Sequence, residues 1–198
     1  MGPDDGVYYE GSIPRKPDER FGVIIDTSQS VWGDMVRLGH FLAFALGVRA
    51  SNDEMAADVD IVGADTVVSG KPLLYTDENI ADAIKNGVPL NGGGGTDFTT
   101  PINQFLIWGD DNAIKYQGLI YITDFESAPP RREDLPADMP PILWVGMPHD
   151  HAKAEAFIKA VSSYSTVVVM EDGMKINFHE AQEKAAQTAG KGHQKITA

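Results

Sequence analysis

The sequence predicts an α/β fold: a doubly wound, mostly parallel six-stranded sheet flanked by helices. Short, almost wholly apolar runs such as Val23-Ile24-Ile25, Leu119-Ile120-Tyr121-Ile122 and Ile142-Leu143-Trp144-Val145 read as strands buried on both faces. Segments of helical periodicity alternate with them, the pattern of parallel sheets joined by crossover helices. A chain of 198 residues with 42% hydrophobic content can bury one good core, so one domain is expected.

The elements follow in order. Residues 1–20 carry Gly, three Pro and several charges and read as an N-terminal arm or linker, with Tyr8 and Tyr9 available to pin it to the domain. Residues 21–27 form the first strand, and about 32–48 a helix whose apolar face includes Met35, Leu38, Leu42 and Leu46. Asp58–Gly63 and Thr66–Ser69 read as two short, tightly joined strands, the second an antiparallel edge. Asp77–Asn86 is expected to be a helix capped by Thr76 and closed by Gly87. The loop Asn91-Gly92-Gly93-Gly94-Gly95-Thr96-Asp97 leads into a helix at about 99–108, with Pro101 tolerated in its first turn. Strand 118–123, a Pro-rich surface loop at 125–140, strand 142–146, a helix at about 150–161 and strand 166–170 complete the pattern. Residues 173–198 form a C-terminal extension, helical at 178–189 and fraying at its end. No internal repeat is evident.

Composition narrows the function. Without cysteine there are no disulfides and no thiolate zinc sites, which suits a reducing compartment. A net charge of −13 argues against non-specific nucleic-acid binding, which needs a basic face. The acidic residues are spread along the chain, as expected when charge serves solubility. The polar start, Met1-Gly-Pro-Asp-Asp-Gly, has neither the apolar core of a signal peptide nor the hydroxyl of a myristoylation signal. No apolar run is long enough to span a bilayer, and a cytoplasmic protein is expected.

The first strand ends in Asp26-Thr27-Ser28-Gln29-Ser30. Residues two apart in an extended chain point the same way, so Asp26 and Ser28 can face one point, and Ser30 can reach it as the chain turns. Several oxygens with no nitrogen or sulfur suit a hard cation, Mg²⁺ or Mn²⁺ rather than Zn²⁺. Asp124 ends a later strand, Tyr121-Ile122-Thr123-Asp124, and Thr96 follows four glycines that allow close backbone approach. Ligands of such sheets sit at the carboxyl ends of strands where the strand order reverses, so three loops could bring oxygens to one spot.

Together, Asp-x-Ser-x-Ser, a Gly-Gly-Thr-Asp loop and a strand-final Thr-Asp resemble the von Willebrand factor A-like (VWA) domain with its metal-ion-dependent adhesion site. The resemblance covers about residues 21–172. It is strongest to the VWA-like domain that follows a metallopeptidase region in bacterial and phage proteins, often encoded beside a MoxR-type AAA+ ATPase. It implies that Ser28, Ser30 and Thr96 supply hydroxyl oxygens to Mg²⁺ (or Mn²⁺), and that Asp26 and Asp124 act directly or through water. An open position would take an Asp or Glu carboxylate from a partner protein. Gln29 and Phe125 stand where that subgroup more often has glycine, and Phe125 is expected to narrow the site or present an aromatic ring to the partner. No His-Glu-x-x-His motif is present, so the peptidase region is absent and the chain is a stand-alone domain or the C-terminal piece of something longer.

Plainer roles compete with this one. Asp26, Ser28 and Ser30 could cap the following helix, Asp124 could satisfy loop amides, and the glycines could form a flexible loop or an anion nest. Asp97 is expected to bond behind the metal ligands or cap a helix rather than bind metal. His149 and His151 are expected to begin a surface helix, and Trp32, Trp108 and Trp144 to pack in or near the core. The expected function is a metal-dependent protein-interaction module rather than an enzyme. The alternatives are an α/β scaffold with a degenerate site and, further off, a metal-assisted hydrolase using Asp26. The hydrolase lacks a second carboxylate at Ser28, a Gly-Lys-Ser/Thr phosphate loop and a nearby His or Lys base.

Overall fold

The structure, a computed structural model, describes residues 20–33, 58–76 and 78–170. Six strands form one sheet: β1 (Arg20–Asp26), β2 (Asp58–Ala64), β3 (Leu73–Tyr75), β4 (Tyr116–Thr123), β5 (Ile142–Gly146) and β6 (Thr166–Val169). Their order is β3-β2-β1-β4-β5-β6, with every pairing parallel except the antiparallel β2–β3 edge. Among the described residues the α-helices are α1 (Gln29–Trp32), α2 (Ile80–Asn86), α3 (Thr99–Asp111) and α4 (His151–Val161). The doubly wound α/β fold expected from the sequence is therefore the one observed.

Alternating side chains divide the core between the two faces of the sheet. Val23, Ile25, Ile61, Ile120, Ile122 and Val145 form one buried layer with Val31 of α1 and Ala83 of α2. Ile24, Tyr121 and Trp144 form the other, against Phe105 of α3 and Phe157 of α4. The second layer is aromatic. Phe98 meets Tyr121, Trp144 and Phe157 edge-on at centroid distances of 5.2, 5.4 and 5.4 Å, while Tyr121 stacks on Trp144 at 5.0 Å. Trp144 is wholly buried, and Trp32 and Trp108 pack half-buried against the two layers, as expected.

Three local expectations are corrected. The antiparallel edge is Leu73–Tyr75; Thr66–Ser69 contributes only a bridge between Val68 and Ala64. Asp65 holds that stretch in a turn, its Oδ1 accepting the amides of Thr66 and Val67, and this overrides the β-propensity of Val67 and Val68. Helix α2 starts at Ile80 rather than Asp77, with Asn79 at its N-cap position. Asn79 Oδ1 accepts the Thr76 amide at 2.8 Å, and Thr76 Oγ1 accepts the Glu78 amide at 3.3 Å, so Thr76 closes a turn ahead of the helix. The remaining shifts are small: α3 runs on to Asp111, and β4 begins at Tyr116. Most of the helix expected at 32–48, the arm at 1–19 and the extension from 173 onward lie outside the described residues. No described helix is long and apolar enough to cross a membrane.

At Gly22, Phe105 of α3 and Leu119 of β4 pack so closely on one face of β1 that they leave no room for a side chain. A Cβ there would lie 2.3 Å from Phe105 Cε1 and 2.7 Å from Leu119 Cδ2. Gly22→Ala is therefore expected to lower stability by about 1–3 kcal/mol through overpacking. The check is a urea titration, in which the midpoint should fall with little change in slope; an unaltered midpoint would refute the close packing of α3 on β1.

Candidate metal centre

Strand order reverses at β1, whose neighbours are β2 on one side and β4 on the other. The crevice beyond the carboxyl ends of β1 and β4 is thus the expected ligand site of this topology. Both strands end there in carboxylates, Asp26 and Asp124, each essentially inaccessible to solvent. Parallel register pairs Ile25 with Ile122, which sets Asp26 beside Thr123.

Asp26 is held from two sides. Its Oδ1 accepts the Ser28 amide at 2.8 Å, and its Oδ2 accepts the Thr123 hydroxyl at 2.6 Å. The turn so formed carries the chain into α1 and brings Ser28 Oγ within 3.2 Å of Ser30 Oγ. Adjacent ligands of an octahedral ion with bonds of ~2.1 Å are about 3 Å apart, so two hydroxyls at this spacing fit neighbouring positions around Mg²⁺. Ser28 is buried and Ser30 exposed, which puts the pair at the mouth of the crevice. Asp124 uses Oδ1 to accept the Glu126 amide at 3.0 Å, while its Oδ2 is buried with no hydrogen-bond partner. A buried carboxylate oxygen without a partner is costly, and a cation would remove that cost.

The glycine-rich loop is laced to this turn by main-chain bonds. The Gly93 amide donates to Thr27 O at 2.7 Å and the Gln29 amide to Gly94 O at 2.9 Å. Such closeness requires glycine: a Cβ on Gly92 would sit 2.2 Å from Thr27 O, and Gly93 adopts φ 105°. Asp65, at the end of β2, supports the loop from the other side, accepting the Gly94 amide at 3.1 Å through Oδ2 and the Asp97 amide at 3.1 Å through its carbonyl. Thr96 is half-buried, and its carbonyl accepts the Ser127 hydroxyl at 3.1 Å, tying the loop to the segment after Asp124. Loops from β1, β2 and β4 thus meet at one place.

The neighbouring residues have other roles. Asp97 turns into the start of α3, its carboxylate accepting the amides of Thr99 and Thr100 at 3.0 and 3.2 Å, the helix-capping role expected of it. Gln29 is exposed. Phe125 neither narrows the mouth nor offers a ring to a partner: it is 1% exposed and packs against Phe157 at 4.9 Å. Its φ of 61° explains why glycine suits this position, and the strain costs roughly 1 kcal/mol or more. Gly146 makes room for the ring, since a Cβ there would lie 2.3 Å from Phe125 Cε2. His149 and His151 lie at the exposed start of α4.

Sequence reasoning missed Thr123 as the partner of Asp26 and Asp65 as the brace of the glycine loop. The second had a signal, because Asp65 directly follows β2 as Asp124 follows β4. Among the described residues no group of three or more His, Cys, Asp or Glu side chains could hold a metal. Any ion at this crevice would rely on hydroxyl oxygens beside two carboxylates.

Burial pushes the Asp26 carboxyl up to about 6; the bonds from Ser28 and Thr123 pull against this rise and the nearby Asp124 adds to it. Because the folded value exceeds the unfolded one of 3.8, the folded state takes up its proton first as pH falls. In chelator, stability is thus expected to rise from pH 7 to pH 5 by about 1 kcal/mol on account of Asp26, the gain being complete below about pH 4. Burial raises Asp60 too and contributes in the same sense. The comparison is therefore with Asp26→Asn across this range: a mutant with the same pH slope as wild type would contradict the assignment.

Of the comparisons with known proteins, the family model agrees with this architecture. The model of the family described as VWA-like domain (DUF2201) matches residues 21–171. One similar solved structure is that of an uncharacterized membrane spanning protein from Vibrio fischeri. It shares 11% identity over 86% of this chain and 99% of that one, with a TM-score of 0.35, too weak a likeness to bear on fold or function. No curated protein matches the chain. The family match runs from the first described strand through the last, and the chain belongs to the VWA-like domain family.

Proposed function

We propose that this domain is a protein-interaction module that uses a divalent cation, Mg²⁺ or Mn²⁺, to bind a carboxylate of a partner. Ser28, Ser30 and Thr96 would hold the ion through hydroxyls, with Asp26 and Asp124 acting directly or through water. The observation that carries this reading is the buried, unpartnered Oδ2 of Asp124, a carboxylate close enough to Asp26 to raise its pKa, beside the strand end that carries the Ser28–Ser30 hydroxyl pair. Hydroxyl ligands neutralise less of the ion's charge than carboxylates do. A bound cation would therefore keep enough positive charge to attract an external Asp or Glu. The chain's own part is to fix the donors: Thr123 and the Ser28 amide orient Asp26, and the glycine loop sets the position of Thr96. An AAA+ ATPase of the MoxR type is the partner class that the family resemblance points to, and a cytoplasmic setting goes with the absence of cysteine.

Calorimetric titration with Mn²⁺ tests this reading. Wild type is expected to bind one ion, while Asp26→Ala and Thr96→Ala lose at least tenfold in affinity with their circular dichroism unchanged. Equal binding heats from all three proteins would reject the site.

A further inference from the structure

A third buried carboxylate, Asp60, lies away from the crevice, towards the amino ends of β1, β2 and β4. Its Oδ2 accepts the Tyr116 hydroxyl of β4 at 2.9 Å. This bond spans β1, which lies between β2 and β4 and offers no side chain at Gly22, the residue in register with Asp60. The same Oδ2 takes Arg20, the first residue of β1, through a long contact of 3.5 Å to Nη1. Oδ1 is buried with no hydrogen-bond partner. One carboxylate therefore ties three strands together through a single oxygen, and its other oxygen is free to take a proton without breaking a bond.

The tie holds a separable piece of the sheet. Arg20 pairs with Tyr116 but Phe21 with Gly118, so Gln117 is an extra residue and the Arg20–Tyr116 pair stands apart from the continuous β1–β4 ladder. Tyr116 itself is fixed: Phe105 of α3 lies 4.8 Å from its ring, and a Cβ on Gly109 would be 2.8 Å from its Cε2. Arg20 is the exposed member, its side chain 25% accessible against 1% for Asp60. If the contact at Oδ2 weakens, it is Arg20 that leaves.

We propose that Asp60, Arg20 and Tyr116 form a pH-sensitive latch where the chain enters the sheet: ionised Asp60 holds Arg20 and the start of β1 against β2 and β4, and a proton on Oδ1 releases them. The charged or titratable groups acting on Asp60 are Tyr116 of β4, Arg20 of β1 and Asp58 of its own strand. The packing neighbours Phe105 and Gly109 of α3, and Leu74 in register on β3, carry no charge. Burial raises the Asp60 carboxyl above its ordinary 3.8 and Asp58 adds to the rise, while Tyr116 and Arg20 oppose it. The folded state thus takes up this proton before the unfolded state does, so the proton that opens the latch does not destabilise the fold. Burial also raises the Tyr116 hydroxyl, which stays a donor to Oδ2 throughout.

Hydrogen exchange in the full chain tests this, read as protection factors so that the intrinsic pH dependence of exchange cancels. From about pH 7 to about pH 4 the protection of residues 20–22 is expected to fall about tenfold, while that of residues 119–122 in the centre of β4 holds. The fall should track the titration of Asp60 followed by NMR of its carboxyl carbon. Asp60→Asn keeps an acceptor for Tyr116 without the charge and should show low protection at both pH values. Arg20→Gln, at a partly exposed side chain, should do the same and decides the matter if the first variant does not fold. Unchanged protection in the wild type would overturn the proposal, as would a fall that persists in Arg20→Gln. An equal loss at residues 119–122 would overturn it in favour of acid unfolding of the whole domain.

Discussion

The hydrogen bond from Thr123 to Asp26 is the interaction on which the candidate site depends. It crosses from β4 to β1 inside the sheet, between groups removed from solvent, and it exists only because those two strands are parallel neighbours. With the Ser28 amide on its other oxygen, Asp26 has no freedom to turn, so the chain must leave β1 in the direction that pairs Ser28 with Ser30. The same carboxylate is pushed toward neutrality by its burial. A cation would reverse that preference, since positive charge nearby stabilises the ionised form. Folding and the binding of a cation would therefore make opposed demands on this one side chain.

Around this fixed point the fold uses small residues where other chains would need side chains to move. Gly92, Gly93 and Gly94 allow the loop to lie against Thr27 and Asp65, and Gly146 yields space to Phe125. The strained backbone of Phe125 is held by aromatic packing on α4, and the ion pair between Lys153 and Glu126 at 3.5 Å adds a second tie from the Asp124 loop to that helix. Asp124 is thus positioned from one side by β4 and from the other by α4. Rigidity behind the carboxylates and openness at Ser30 are properties expected of a site that must receive an external group.

The sheet was legible because its central strands are apolar on both faces, and Ile24, Ile122 and Val145 could belong to nothing else in a chain of this size. The edge was not. Thr66–Ser69 and Leu73–Tyr75 carry similar propensity, and the choice was made by Asp65 bonding to its own following amides, a local competition that propensity does not weigh. For a related reason Thr76 does not cap the helix: its hydroxyl accepts the Glu78 amide and its amide donates to Asn79 Oδ1, closing a turn before the helix starts. At the site, residue types and spacings named Asp26, Ser28, Ser30, Thr96 and Asp124, but strand neighbours decide which carboxylates converge. That is why Thr123 passed unnoticed: its hydroxyl matters through register with a strand 97 residues away. Phe125 was misjudged because its inward position follows from a positive φ, which an aromatic residue gives no reason to expect.

The most direct test of the central claim is anomalous diffraction at the manganese edge from crystals grown with Mn²⁺. The account predicts one peak bounded by the hydroxyls of Ser28, Ser30 and Thr96, with Asp26 and Asp124 in direct contact or one water away. A peak elsewhere, or none at saturating Mn²⁺, would contradict it and leave the domain as an α/β scaffold whose crevice holds no ion.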